Sequence, residues 1–238
     1  MVKNIRKLDR KFAQSYPAEG QSHTRRETGY KEKGMSTTSA GHISFSPCWF
    51  SVGQQLSVSR SLRHSQTIQY LRDDRDSLAL LGSVLALLHP LAAVKGLSIL
   101  RGIHSGAIVN AATASLVEEV RHLWPSPLTA FSIISNRETE SHRDAKGFTP
   151  FYDIVTTLGD YTDGRFEVPA IGLRFEYNPG TIIGICGKVL SHGVSEVQGD
   201  RFCLVQYFHR KVLDLLSGYT VEARPYHWMR QEDFGMGL

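Results

Sequence analysis

At 238 residues, with 41% hydrophobic and 21% charged residues, the chain has the length and balance of one folded domain with a sizeable core, which excludes a disordered or fibrous protein. Three cysteines (Cys48, Cys186, Cys203) without CxxC spacing argue against a disulfide framework or a cysteine zinc site and read as reduced thiols inside a cell. The net charge of +4 is uneven: residues 1–40 hold nine Lys/Arg against four acids, so residues 41–238 sum to about −1.

Residues 1–40 lack hydrophobic periodicity and are rich in Ser, Thr, Gly and charge. They are expected to form a basic, flexible arm, either simply solvated or in contact with a polyanion. No apolar segment follows the basic start, so a secretory signal is not expected. From about residue 61 to 124 the pattern is helical. Asp76 or Ser77 can cap a helix over Leu78–Leu88, which His89-Pro90 ends. That apolar run is shorter than the ~20 residues of a membrane span, so a buried helix is expected and no membrane partner. A second helix is expected over Ser105–Leu123, with Ile108, Ala112, Leu116 and Val120 on one face. Trp124-Pro125-Ser126-Pro127 breaks it.

Beyond Pro127 the period shortens to two or the runs become wholly apolar. Strands are expected at Phe131–Ser135, Tyr152–Leu158, Arg165–Val168, Ile171–Tyr177, Thr181–Ile185, Val189–Ser191 and Phe202–Phe208. The turn signals Thr162-Asp163-Gly164, Asn178-Pro179-Gly180 and Gln198-Gly199-Asp200 separate several of them. Many short strands behind a helical layer predict an α+β, mainly β fold: a double-stranded β-helix (jelly roll) whose one sheet is backed by N-terminal helices.

His142 and Asp144 lie one residue apart, and in extended chain positions i and i+2 point the same way. His192 is expected to end the strand Val189–Ser191, and Arg201 to open the strand that follows it, with Cys203 on the same face. Two histidines and a carboxylate can hold one face of iron(II) and leave positions open for a bidentate oxo-acid and dioxygen. An arginine then matches the far carboxylate of a dicarboxylate. Asn136 can hydrogen-bond the co-substrate, orient a ligand, or only cap a turn. The triplets His142-Arg143-Asp144 and Asp233-Phe234-Gly235 spell two kinase signatures, but the position five after Asp144 is Thr149 rather than Asn, and no Gly-rich loop precedes. A kinase is excluded.

The blocks Asn136-Arg137-Glu138-Thr139, His142-Arg143-Asp144, Gly159-Asp160-Tyr161-Thr162-Asp163-Gly164, Asn178-Pro179-Gly180, Ser191-His192-Gly193-Val194 and Gly199-Asp200-Arg201 resemble the TET/JBP group of 2-oxoglutarate- and iron(II)-dependent DNA-base dioxygenases. The chain looks most like the compact members found in basidiomycete fungi. Cys203 stands where many relatives have Ser, and the cysteine-rich module and large insert of the animal enzymes are missing. The resemblance covers roughly residues 120–210. The chain as a whole is expected to comprise a basic arm over 1–40 and a dioxygenase domain over 41–238, with a helical part at about 61–124, a jelly roll at about 128–210 and an extension at 211–238. The resemblance implies iron(II) held by His142, Asp144 and His192, and 2-oxoglutarate anchored by Arg201 with Asn136 and Cys203 nearby. Dioxygen is the oxidant, and the substrate is 5-methylcytosine in double-stranded methylated DNA, oxidised to hydroxymethylcytosine and further products. N6-methyladenine is the alternative substrate, and a non-catalytic cupin-like binding module the more distant alternative. Lys188, Arg210, Lys211, Arg224 and Arg230 are candidate phosphate contacts, and Tyr226-His227-Trp228 a candidate wedge beside a flipped base. A monomer acting in the nucleus is expected.

Overall fold

The computed structural model describes residues 1–15, 29–32, 34–49, 56–104, 114–144, 147–149, 151–195 and 197–216. Two antiparallel sheets face each other, and helices cover the outer side of one. The first sheet orders β1 (Gly41–Phe45), β2 (Ala130–Ser135), β9 (Gln198–Tyr207), β4 (Asp153–Thr162) and β7 (Ile182–Ile185). The second orders β3 (Thr139–His142), β8 (His192–Val194), β5 (Arg165–Val168) and β6 (Leu173–Glu176). Strands β2 to β9 thus run 2-9-4-7 in one sheet and 3-8-5-6 in the other, the interleaving of a jelly roll, as the sequence predicts.

Period-two alternation splits the core into two layers. On β9, Phe202 and Leu204 join the helix-side cluster, while Cys203 joins the cluster between the sheets with Val155, Phe166, Val168, Tyr177, Ile185 and Val194. Leu158 pairs with Phe202 and Thr157 with Cys203 on the neighbouring strand, so the two faces stay in register across β4 and β9. The helix side is lined by α3 (Ser65–Asp73), α4 (Arg75–Leu88), α5 (Pro90–His104) and α6 (Ala114–Leu123). Leu71, Leu78, Leu85, Ala92, Ile99 and Val120 point into it. Gly96 of α5 is forced by close approach: a Cβ there would overlap the Pro127 carbonyl. Trp124 and Pro127 therefore key the helices to the sheet.

Several expectations change. Residues 1–15 are not a flexible arm. They form α1 (Val2–Arg6) and α2 (Asp9–Ser15), and Ile5, Leu8 and Phe12 are fully buried in the helix-side core. Spaced three and four residues apart across α1, the turn after it and α2, they all turn to the core, a pattern hidden in the sequence by the Lys and Arg between them. Residues 16–28 of the expected arm lie outside the described residues. Pro90 does not only end α4; it starts α5, taking the first helical position where its missing N–H costs nothing. The second expected helix is described only from Ala114. Val189–Ser191 is not a strand; the strand begins at His192. Two strands, β1 and β3, were not expected. Among the described residues no helix is long and apolar enough to cross a membrane.

Candidate active site

His142 closes β3, His192 opens β8, and the two sit opposite each other across that ladder. A register shift between Thr139 and His142 is the kind of irregularity that re-aims a side chain beside a site. The chain then leaves the sheet, and the Asp144 N–H donates to Gly187 O at 2.8 Å, which swings the carboxylate over both imidazoles. His142 Nε2 lies 3.4 Å from Asp144 Oδ1, and His192 Nε2 3.6 Å from Asp144 Oδ2. All three donor atoms fall within 4.8 Å of one another.

The tautomers follow from the backbone. His142 Nδ1 contacts Glu140 O at 2.8 Å, and His192 Nδ1 contacts Leu190 O at 3.1 Å. A carbonyl can only accept, so each Nδ1 carries the proton and each Nε2 presents its lone pair to the common centre. Phe166 lies flat against His192, ring centroids 5.8 Å apart and planes 12° apart, which fixes that imidazole. Gly187 is required by contact: any Cβ would overlap Asp144 Oδ2 and stand 3.0 Å from His192 Cε1. Two neutral imidazoles and one carboxylate, crowded on one side and open on the other, fit iron(II) with an exchangeable face.

Arg201 is 3% exposed. Its Nη2 donates to Arg137 O, but among the described residues Nη1 has no oxygen acceptor, and the Cys203 thiol is the other group hydrogen-bonded to this side chain. A guanidinium taken out of water without a matching anion is costly, so this arrangement fits a ligand carboxylate. Cys203, one pleat along on the same face, is buried, and burial pushes its thiol up while the Arg201 charge works the other way.

The remaining expected residues divide. Asn136 spends its side chain on protein: Nδ2–H donates to Thr38 O at 2.7 Å, and Oδ1 accepts from the Arg201 N–H at 2.9 Å. Its backbone sits at φ 51°, the left-handed region. It is therefore a buried latch that fixes the backbone of Arg201, and not the co-substrate contact considered from sequence. Asp200 continues the latch by accepting from the Thr37 N–H at 3.0 Å and from the Thr37 and Thr38 hydroxyls. Lys188 is exposed and follows Gly187, so it stands on the rim of the triad. Arg210 opens α7 (Arg210–Leu216), with Nε held by both Asp214 oxygens at 2.9 Å and its guanidinium 5.1 Å from the Phe148 ring centroid. Lys211 is exposed on the same helix. Arg224, His227, Arg230 and their neighbours lie outside the described residues.

Sequence reading missed Gly187, Phe166, Tyr177 and Asp153. The first three carry no motif; only pairing across the two sheets brings them to the site. Asp153 heads β4 on the inter-sheet face, and burial, then the nearby Asp144 carboxylate, push it up to about 8.

A jelly roll carrying an open two-histidine-one-carboxylate centre and a buried, anion-seeking arginine is the framework of a 2-oxoglutarate- and iron(II)-dependent oxygenase. The family model Tet_JBP, the oxygenase domain of the 2OGFeDO superfamily, matches residues 46–210, and the chain belongs to that family. Its cofactor set is accordingly iron(II), 2-oxoglutarate and dioxygen. Among solved structures, NgTET1 in complex with 5mC DNA aligns with a TM-score of 0.49 at 14% identity, over 71% of this chain and 61% of that one. Ectoine synthase from P. lautus aligns with a TM-score of 0.24 at 14% identity, over 42% and 70%. The chain thus spans about three-fifths of NgTET1. No curated protein matches it.

Proposed function

We propose that this oxygenase oxidises methylated bases in double-stranded DNA, with 5-methylcytosine as the first substrate and hydroxymethylcytosine as the first product. The observation that carries the chemistry is the convergence of His142, Asp144 and His192 within 4.8 Å, in a chain of the Tet_JBP oxygenase family. With iron(II), 2-oxoglutarate and dioxygen bound, the cofactor set supplies an oxidant strong enough for a methyl C–H bond, and the oxo-acid ends as succinate.

The chain's own residues hold and shield that chemistry. His142, Asp144 and His192 would hold the metal through Nε2, a carboxylate oxygen and Nε2. Arg201 would take the far carboxylate of 2-oxoglutarate, held in place by Asn136 through the backbone. Phe166, Val155, Ile185 and Val194 form the apolar wall on one side, which keeps water from that side. No side chain is needed as general acid or base. Asp144 is the ligand open to solvent, its side chain 41% exposed, so substrate arrives over it. A methyl group stacked inside a duplex cannot reach this depth, so the base is flipped. Lys188 on the rim, with Arg210 and Lys211, supports phosphate binding, and the protein acts as a monomer on nuclear DNA.

Mass spectrometry of nucleosides from duplexes carrying 5-methylcytosine, N6-methyladenine or no modification tests the proposal. Hydroxymethylcytosine, dependent on 2-oxoglutarate and iron(II), is the expected product. Loss of the methyl group from N6-methyladenine, with 5-methylcytosine untouched, would assign the same site to N-demethylation.

A further inference from the structure

The anchor for the co-substrate contains more than Arg201. Two tyrosines lie close enough to Arg201 to feel its charge, Tyr161 and Tyr177. The Tyr161 hydroxyl is occupied: it shares a hydrogen bond with Thr157 Oγ1 at 2.7 Å and donates to Tyr177 O. The Tyr177 hydroxyl is less well held. Its side chain is fully buried, packed edge-on against Phe166 at 5.3 Å, and among the described residues its only partner is the Cys203 thiol.

Arg201 Nη1 likewise has no nitrogen or oxygen acceptor among the described residues. The Cys203 thiol hydrogen-bonds with both side chains, but a thiol is a weak acceptor. Buried polar groups are nearly always paired. Two buried donors whose shared partner is one weak thiol, in the space between the sheets that also holds His192 and Phe166, suit an acceptor with two oxygens. Burial holds the phenol well above its ordinary value, so it remains a donor at any working pH.

We propose that the Tyr177 hydroxyl is the second donor of the co-substrate anchor, sharing with Arg201 Nη1 the far carboxylate of 2-oxoglutarate beside the Cys203 thiol. Resting on the reading of the chain as a 2-oxoglutarate oxygenase, the assignment explains how a chain with Cys at 203 completes its carboxylate site. A phenol reaching in from the end of β6 does what a short hydroxyl on β9 would do.

The test is calorimetric binding to protein loaded with manganese(II), which needs no turnover. The ligands are 2-oxoglutarate and 2-oxopentanoate, which keeps the five-carbon chain and the chelating end but lacks the far carboxylate. Tyr177→Phe retains the ring against Phe166 and should melt like the wild type. It should weaken 2-oxoglutarate binding about ten-fold and leave 2-oxopentanoate unchanged. Cys203→Ser added to Tyr177→Phe should recover part of the loss, because a hydroxyl again faces the carboxylate. Unchanged 2-oxoglutarate binding in Tyr177→Phe would overturn the proposal, as would an equal loss for both ligands. Failure of the wild-type protein to bind 2-oxoglutarate at all would overturn the oxygenase reading itself, a result seen before any variant is made.

Discussion

At the scale of single residues, the site depends on where protons and charges are kept. The Arg201 side chain is buried and only half satisfied by protein, so its replacement by a point charge is severe. Arg201→Lys should raise the 2-oxoglutarate requirement by the equivalent of ~2–4 kcal/mol, since an ammonium cannot fork onto a carboxylate. Saturation curves for succinate formation measure this, and an unchanged requirement would move the anchor elsewhere. Asp153 gives a pH signature in the metal-free protein. Its folded value of about 8 lies above that of an unfolded carboxyl, ~3.9, so the folded state binds the extra proton between those values. Its contribution to stability is lost progressively as pH rises through that window. Asp153→Asn should therefore raise the melting temperature of the metal-free protein more at pH 8 than at pH 5. A gain that is equal at both pH values, or absent, would contradict the assignment. The triad was legible in the sequence because closely spaced His and Asp with a second His farther on can meet at one ion, and the fold brings the three donor atoms within 4.8 Å. Tyr177, Gly187 and Asp153 were not, because strand pairing brings them to the site and no local pattern does.

At the scale of elements, the jelly-roll strands were readable from alternation and turn residues, and most begin within a residue or two of their expected starts. The misses have physical causes. β3 is four residues long and largely exposed, so it has no apolar face to announce it, although it carries His142. Pro90 was read only as a breaker, yet at a first helical position the same ring favours the helix. α1 and α2 were hidden because basic residues flank each buried one. Phe12 stacks near Phe202 at 6.4 Å, on the strand that carries Arg201. Phe12→Ala should then cost about 3–5 kcal/mol of stability, and deleting residues 1–15 should unfold the domain rather than merely weaken DNA binding. Thermal melts decide between the two, and a truncated protein with an unchanged melt would show the helices to be an appendage.

At the scale of the whole molecule, the two sheets divide the labour. The helix-backed sheet buries the larger cluster on its outer face and presents Arg201 and Cys203 inward. The smaller sheet carries His142 and His192 on paired strands, with Asp144 two residues beyond His142. The basic surplus of residues 1–40 belongs in part to helices packed on the core, so net charge alone does not locate the proposed DNA-binding surface. Ions near the triad opening, Lys188 foremost, are better placed for phosphate contact.

In the proposed function, His142, Asp144 and His192 form one iron(II) centre whose 2-oxoglutarate turnover is coupled to a methylated duplex. Succinate release, measured with and without duplex DNA carrying 5-methylcytosine, tests it most directly in the wild-type protein and in His142→Ala, Asp144→Ala and His192→Ala. Methylated duplex should stimulate wild-type succinate release in step with oxidised base, and each variant should fold but release none. Succinate release that ignores the methylated duplex, or that survives in any of the three folded variants, would contradict it.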